Sequence, residues 1–586
     1  MEHPVTRRQF VKGAAGAAAL GVLASCARRV PELATAPAAD AAAGAALGHG
    51  PALGVRCENL PDVWQKRLLA LLSARLQERG LRPAVADAAK PRLILAVAGD
   101  LPADGFRLAE AGPAVRVAGG SPRGVLYGLG KFLRTSLYEG RFAPSLWRGS
   151  SAPQCPVRGI YFANHFHNWY CMASPAELAR YTEDLALWGM NLNLAIYPFI
   201  NLDGWDDPEA EPALERLRGI LRGAKEWDLD ICLGIGPTNL FKKSPAEIRA
   251  VPLPDPLHKH GNAGVNICPS LPAGHDYMIQ TYRVLFQRLV DTPVDYLCLW
   301  PYDEGGCACD KCKPWGANGY LRCSKELVAL ARQFMPRVKI ILSTWTFDTP
   351  PEGEWAALSS AMDKDPSWVD FILADAHDDY PRYPLDVGVP GNKPLLNFPE
   401  ISMWGNWPWG GWGAHPLPQR FRRLWNQIKH VCKGGYAYSE GIYEDMNKAT
   451  VLQFYWNRDT PAEDTLREYI DYEFSPAVRD QTLRMVRLLE SAASAPAKEH
   501  DAGAAQQAFD LAEAIQRRLP AWAGQSWRWE ILYLRALLDR ERYAGGGAET
   551  PAAQAALQRL LEIYHAPDQT SDPHHEWVRP PLKRKR

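Results

Sequence analysis

VRGIYFANHFHNWY, residues 157–170, decides the architecture. Its first half is rich in branched and aromatic residues and reads as a strand, with polar Asn164 and His165 at its end. A doubly wound sheet would carry a glycine-rich phosphate turn directly after this first strand, and the stretch offers none. Further strand patterns follow at 191–199, 230–237, 294–304, 338–347, 368–376, 394–402 and 434–441. Helical spacing separates them, as in PAELARYTEDLALWG and SKELVALARQFM. Eight strands with helical crossovers are the arithmetic of a barrel. The expected fold class is therefore α/β, a (β/α)8 TIM barrel over residues 155–460.

Working outward, residues 55–150 predict a small N-terminal α/β domain. DVWQKRLLALLSARLQERG has helical spacing, RLILAVAG, GFRLAEAG and AVRVAGG read as short strands, and Ser121 is placed to cap a second helix. After the barrel the patterning is helical throughout, predicting a C-terminal helical domain over 461–567 and a tail over 568–586. A chain of 586 residues exceeds one compact core, in keeping with several domains.

The formal net charge is zero, which argues against nucleic acid or an anionic membrane surface as partner. The chain holds 21 tryptophans and 22 tyrosines, a supply of flat faces suited to stacking on sugar rings. At the N-terminus, Arg7-Arg8 precede a small-residue apolar stretch ending in Leu23-Ala24-Ser25-Cys26. The pattern resembles a twin-arginine export signal ending in a bacterial lipobox, over residues 1–26, with lipid attached at Cys26. Residues 27–54, rich in Ala, Gly and Pro, follow as a linker. The expected location is periplasmic or anchored at the outer membrane, with the lipid as the chain's sole membrane contact.

Barrel enzymes keep their reacting groups at the C-terminal ends of the strands. Applied here, that rule selects Asn164, His165 and His167 after the first strand and Asp303-Glu304 after the fourth. It selects Trp345 after the fifth, Asp375 and His377 after the sixth, Glu400, Trp404 and Trp407 after the seventh, and Glu440 and Tyr443 after the eighth. Several carboxylates on one rim among aromatics suit glycosidic hydrolysis, in which an acid protonates the leaving oxygen while a second group handles an oxocarbenium-like centre. Any one such carboxylate can equally cap a helix or pair with an arginine. The pair His165 and His167 in extended chain points its rings to opposite faces, which favours sugar contacts or core packing over a metal. MWGNWPWGGWGAHP, with four tryptophans, reads as stacking platforms or as a plug over the barrel.

GFRLAEAGPAVRVAGGSPRGVLYGLGKFLR resembles the small α/β domain that precedes the barrel in β-N-acetylhexosaminidases and α-glucuronidases. Asp303-Glu304 is similar to the adjacent Asp-Glu of the hexosaminidases, although Pro301-Tyr302 stands where those have two glycines. That resemblance implies Glu304 as general acid and Asp303 as the residue orienting the substrate's own acetamido nucleophile. The α-glucuronidase resemblance maps the acid to Glu304 and basic carboxylates to Asp375 and Glu400, though no basic cluster for a uronate is evident. A third resemblance is to a group containing endo-acting N-glycan glucosaminidases, which share the CxCxxC run after the strand-four acid. The function implied is an exported glycoside hydrolase, hexosaminidase-like and substrate-assisted, on an oligosaccharide or glycan. An inverting glucuronidase-like enzyme or a non-catalytic glycan-binding lipoprotein is the alternative. No cofactor is expected for catalysis.

Cys307, Cys309, Cys312 and Cys323 supply four thiols in a short segment. The spacing suits a tetrahedral structural zinc, and disulfides are the competing reading in an oxidising compartment.

Overall fold

The computed structural model describes residues 53–81, 85–86, 91–139, 142–165, 168–253, 265–302, 305–376, 379–400, 416–442, 445–494, 501–544 and 550–565. Eight parallel strands close into a barrel, in chain order Val157–Phe162, Leu192–Ile196, Asp230–Ile235, Tyr296–Leu299, Lys339–Ser343, Phe371–Ala376, Leu395–Pro399 and Cys432–Ser439. The eighth pairs with the first from Gly434 opposite Val157 to Ser439 opposite Phe162, which closes the ring. Every barrel strand expected from the sequence is present; the first seven are shorter than their patterns, and the eighth, Cys432–Ser439, keeps its length but starts two residues earlier. The fourth shows why: Trp300 still donates its N–H to Ile235, but Pro301 has no N–H to continue the ladder.

Helices Pro175–Leu187, Ala210–Glu226, Pro272–Arg288, Leu321–Phe334, Glu354–Lys364 and Pro418–Ile428 follow their strands. The first opens with a capping box, Ser174 and Glu177 each bonding the other's backbone. Among the described residues, the crossover after the sixth strand holds the four-residue helix Tyr383–Asp386 and a 3-10 turn, Pro390–Asn392. Bulky residues fill the barrel, and Gly159 makes room for two of them. A β-carbon there would come within 2.8 Å of Leu192 and Tyr436.

The N-terminal domain is a six-stranded mixed sheet with helices Asp62–Glu78 and Pro122–Arg134. Ser121 caps the second helix as expected, accepting from the Gly124 N–H at 3.1 Å. Arg158, fully buried at the base of the first barrel strand, donates to Asp104 of this domain at 2.7 Å and to the Gly189 carbonyl at 2.8 Å. A crevice lined by Phe106, Tyr127, Trp147 and Trp456 opens beside Gly189, where the chain enters the second strand. It lies away from the strand ends that carry the expected chemistry.

Helix Asp445–Trp456 follows the eighth strand and completes the barrel, and helices Ala462–Glu473, Arg479–Ser494, Ala502–Gln516, Trp527–Ala544 and Pro551–Ile563 build the C-terminal domain. Among the described residues no helix is long and apolar enough to cross a membrane.

Candidate active site at the barrel mouth

Side chains alternate across a strand, so residues two apart share a face. On the eighth strand Tyr436 and Tyr438 turn inward, meeting Phe398 at ring distances of 5.6 and 5.8 Å, and Glu440 has the same parity. On the seventh, Phe398 is inward and Glu400 shares its face, paired with Tyr438 across the ladder. On the sixth, Asp375 lies in register with Phe398. Three carboxylates from three consecutive strands therefore face the same barrel mouth. Glu400 and Glu440 are buried, and Asp375 is half-buried.

Around them stands an aromatic lining. Trp300 meets Phe398 at 4.9 Å and Trp345 edge-on at 6.0 Å, and Tyr161 meets Tyr438 at 5.4 Å. His165 stacks on Tyr161, with its Nδ1 3.1 Å from the tyrosine hydroxyl. Thr346, directly after Trp345, takes φ 61°. A branched residue there costs about 1–3 kcal/mol, a strain found mostly at functional sites.

The Tyr438 hydroxyl donates to Glu440 Oε1 at 2.5 Å. Burial, then the Glu440 carboxylate, pushes the Tyr438 phenol well above its ordinary pKa, so it stays a donor. The turn beyond Glu440 is held from below. Tyr170 bonds the Ser439 hydroxyl at 2.6 Å, and the buried Lys448 ammonium donates to the Gly441 carbonyl and, at 2.7 Å, to Tyr181.

Not every expected residue faces the mouth. Both polar atoms of the Asn164 amide are committed to the Ile196 backbone, at 2.8 and 2.9 Å, so this side chain staples the first strand to the second. Asp303, Glu304, His167, His377, Trp404, Trp407 and Tyr443 lie outside the described residues, as does Cys26. The chain on either side of Asp303-Glu304 is anchored. The Trp315 indole donates to the Pro301 carbonyl, and buried Tyr302 donates to Glu354. On the far side, Gly306 N–H donates to Thr238 at 3.1 Å.

No protein-family model matches this chain, and no curated protein matches it by sequence. Solved structures do match. The GH115 4-O-methyl-α-glucuronidase BtGH115A, with specificity for decorated arabinogalactans, superposes with TM-score 0.57 at 11% identity, over 90% of this chain and 78% of its own. The Clostridium perfringens protein CpGH89, seen with its substrate GlcNAc-α-1,4-galactose, gives 0.59 at 10% identity, over 85% of this chain and 65% of its own. A GH20 exo-β-N-acetylglucosaminidase from Vibrio harveyi gives 0.48 at 12% identity, over 75% and 74%. The barrel with its flanking domains is a fold shared with known glycoside hydrolases.

Trp300, Tyr161 and Tyr438 were not singled out by the strand-end rule, because the patterns of their strands run on past them, to residues 304, 166 and 441. Strand parity was the signal that could have found them.

Behind the fourth-strand loop lies the thiol cluster, and its membership differs from the sequence expectation. The sulfurs that converge are those of Cys268, Cys307, Cys309 and Cys312, all within 4.8 Å of one another. Cys323 is not among them. It sits on the helix Leu321–Phe334, fully buried, where burial pushes its thiol up to about 12. Cys268 takes its place because a short antiparallel pair, Asn239–Leu240 with Val265–Asn266, carries the third-strand loop across to the fourth. Within the cluster Cys312 is drawn down to about 5, chiefly by the Cys307 thiol and against burial, with Ser270 also bonding at 2.9 Å.

Proposed function

We propose that this chain is a glycoside hydrolase acting at the C-terminal mouth of its barrel. The observation that carries the reading is the convergence of Asp375, Glu400 and Glu440 on one inward face, beside the rings of Trp300, Trp345 and Tyr161. Buried carboxylates able to hold or take a proton, next to flat apolar faces, are what protonation of a glycosidic oxygen and binding of a sugar ring require. In this reading Glu304, following the anchored Pro301-Tyr302 turn, is the general acid. Asp303 orients a 2-acetamido group, which attacks the anomeric carbon as the leaving oxygen is protonated, and water then opens the oxazoline.

Hydrolysis of a panel of aryl glycosides, N-acetylglucosaminide, N-acetylgalactosaminide, glucuronide and glucoside, tests it. Turnover of an acetamido sugar, with strong inhibition by a thiazoline analogue, is expected, because the analogue resembles the oxazoline. Asp303→Asn should impair acetamido substrates most. Binding of glycans with no turnover of any would replace the enzyme with a glycan-binding protein.

Asp375 and Glu400 on neighbouring strands favour a second reading, the inverting glucuronidase-like one, in which one of them activates water. Acid and base then stand about 6.5–9.5 Å apart, and NMR of fresh product shows the inverted anomer. The export signal and the lipid at Cys26 belong to the same proposal and place the enzyme outside the cytoplasm, where it meets glycans. Acyl modification of Cys26 in membrane fractions, read by mass spectrometry, checks that part.

A further inference from the structure

We propose that Cys268, Cys307, Cys309 and Cys312 bind one structural zinc ion that fastens the third-strand loop to the fourth-strand loop. This stands on the thiol cluster alone and is independent of the reading of the barrel mouth.

The geometry is that of a tetrahedral site. A zinc ion with sulfur at about 2.3 Å sets its sulfurs about 3.8 Å apart along each edge. The sulfurs of Cys268 and Cys309 lie 3.8 Å apart, and all four lie within 4.8 Å of one another. A disulfide needs sulfurs at about 2.05 Å, and all four cysteines are free thiols. Cys268, Cys307 and Cys312 are buried and Cys309 is half-buried, so a bound ion would be enclosed by protein on most sides. A closed four-sulfur set leaves no position for water, which makes the site structural.

The surroundings hold the sulfurs in place without the ion. Cys268 hangs from the Ile248 carbonyl through its N–H at 2.9 Å, and Ile267 from Thr238 at 3.0 Å. The other loop is tied to the same segment. Ala308 donates to the Val251 carbonyl at 2.9 Å, and the turn at Cys309 receives the N–H groups of Cys312 and Lys313. An outer layer is also present. Ser270 Oγ lies 2.9 Å from the Cys312 sulfur and receives a hydrogen bond from Arg322 at 3.1 Å. Such outer contacts orient metal ligands and offset the charge of a four-thiolate site. Soft sulfur in a tetrahedral array suits zinc or iron rather than magnesium, calcium or manganese, and elemental analysis separates those two.

Elemental analysis of the full purified chain, prepared without chelators, tests the site. About one zinc per chain is expected, with cobalt replacement giving tetrahedral d–d bands and sulfur-to-metal charge transfer. Cys268→Ser should lose the metal, and Cys323→Ser should keep it. The second variant serves as the matched control for thiol loss, and the wild-type cobalt spectrum needs no variant at all. Metal-free or iron-loaded protein would overturn the proposal, as would disulfides within the cluster in non-reducing peptide maps. So would the reverse pattern, Cys323→Ser losing zinc while Cys268→Ser retains it.

Discussion

At the seam between the barrel and the C-terminal helices, Asp184 receives Arg75 at 2.7 Å, Arg180 at 3.1 Å and Arg528 at 2.9 Å. At the barrel mouth Glu440 is met by the phenol of Tyr438. Both carboxylates are enclosed, yet their settings differ in kind. Burial alone would push the Asp184 carboxyl up, and the guanidinium groups of Arg180, Arg75 and Arg528 overcome it and hold the group well below the usual range. A carboxylate matched by several cations is spent on structure, since its charge can neither move nor be lent. The Glu440 carboxylate, by contrast, accepts a phenol on the inward face of the barrel, beside the rings that line the mouth. In the proposed reading, the seam holds the fold and the mouth carries the reaction.

The largest effect that would break this comparison is expected at the seam. Arg528 bonds Asp184 and Asp445, the latter at 2.7 Å, and its side chain is only 8% exposed. Arg528→Met leaves those buried acids short of a cation and should cost about 3–5 kcal/mol of stability. Urea unfolding measures the loss, while kcat/KM per folded molecule should stay near wild type. An equal collapse of turnover in the folded fraction would mean that seam and mouth are one functional unit.

Next in size is Glu304→Gln. Loss of acid assistance should lower kcat/KM by a factor of about 10² or more, greatest for poor leaving groups. That is about 2.7 kcal/mol of transition-state stabilisation, with the urea midpoint unchanged. Near-wild-type hydrolysis of a poor-leaving-group substrate would move the acid role elsewhere on the rim.

What could be read in advance follows the range of the interactions. The eight strands were legible because alternation and branched residues are local, although the pattern of the fourth ran on to residue 304, past Pro301, where the ladder stops. Ser121 was legible as a cap because its partner, Gly124, is a turn away. Cys268 was not, since it meets Cys309 across 41 residues and through a two-residue strand pair that leaves no periodic trace. Asn164 could be placed at a strand end, but its commitment to Ile196 depends on the neighbouring strand's register. The Arg528 network was illegible for the same reason, lying 344 residues from Asp184 in the chain.

The smallest expected effect separates the two regions by pH. Asp184 has a folded pKa depressed below its ordinary 3.8, so its stabilising contribution is fully present above that value. It is lost as pH falls through the folded value, because the protonated group no longer attracts Arg75, Arg180 and Arg528. Glu473, in the same seam, works in the opposite sense. Burial raises its pKa despite Arg528 and Arg79, so ionising it weakens the fold as pH rises. The acid limb of stability should therefore belong to Asp184. Asp184→Asn should be less stable than wild type at pH 7, and the gap should narrow below about pH 4 by on the order of 1 kcal/mol for each pKa unit of the difference removed. Urea midpoints of both proteins at neutral and acid pH give the two gaps. A gap that stays constant would mean that Asp184 contributes shape and hydrogen bonds alone, and the contrast between the paired seam and the mouth would lose its electrostatic basis.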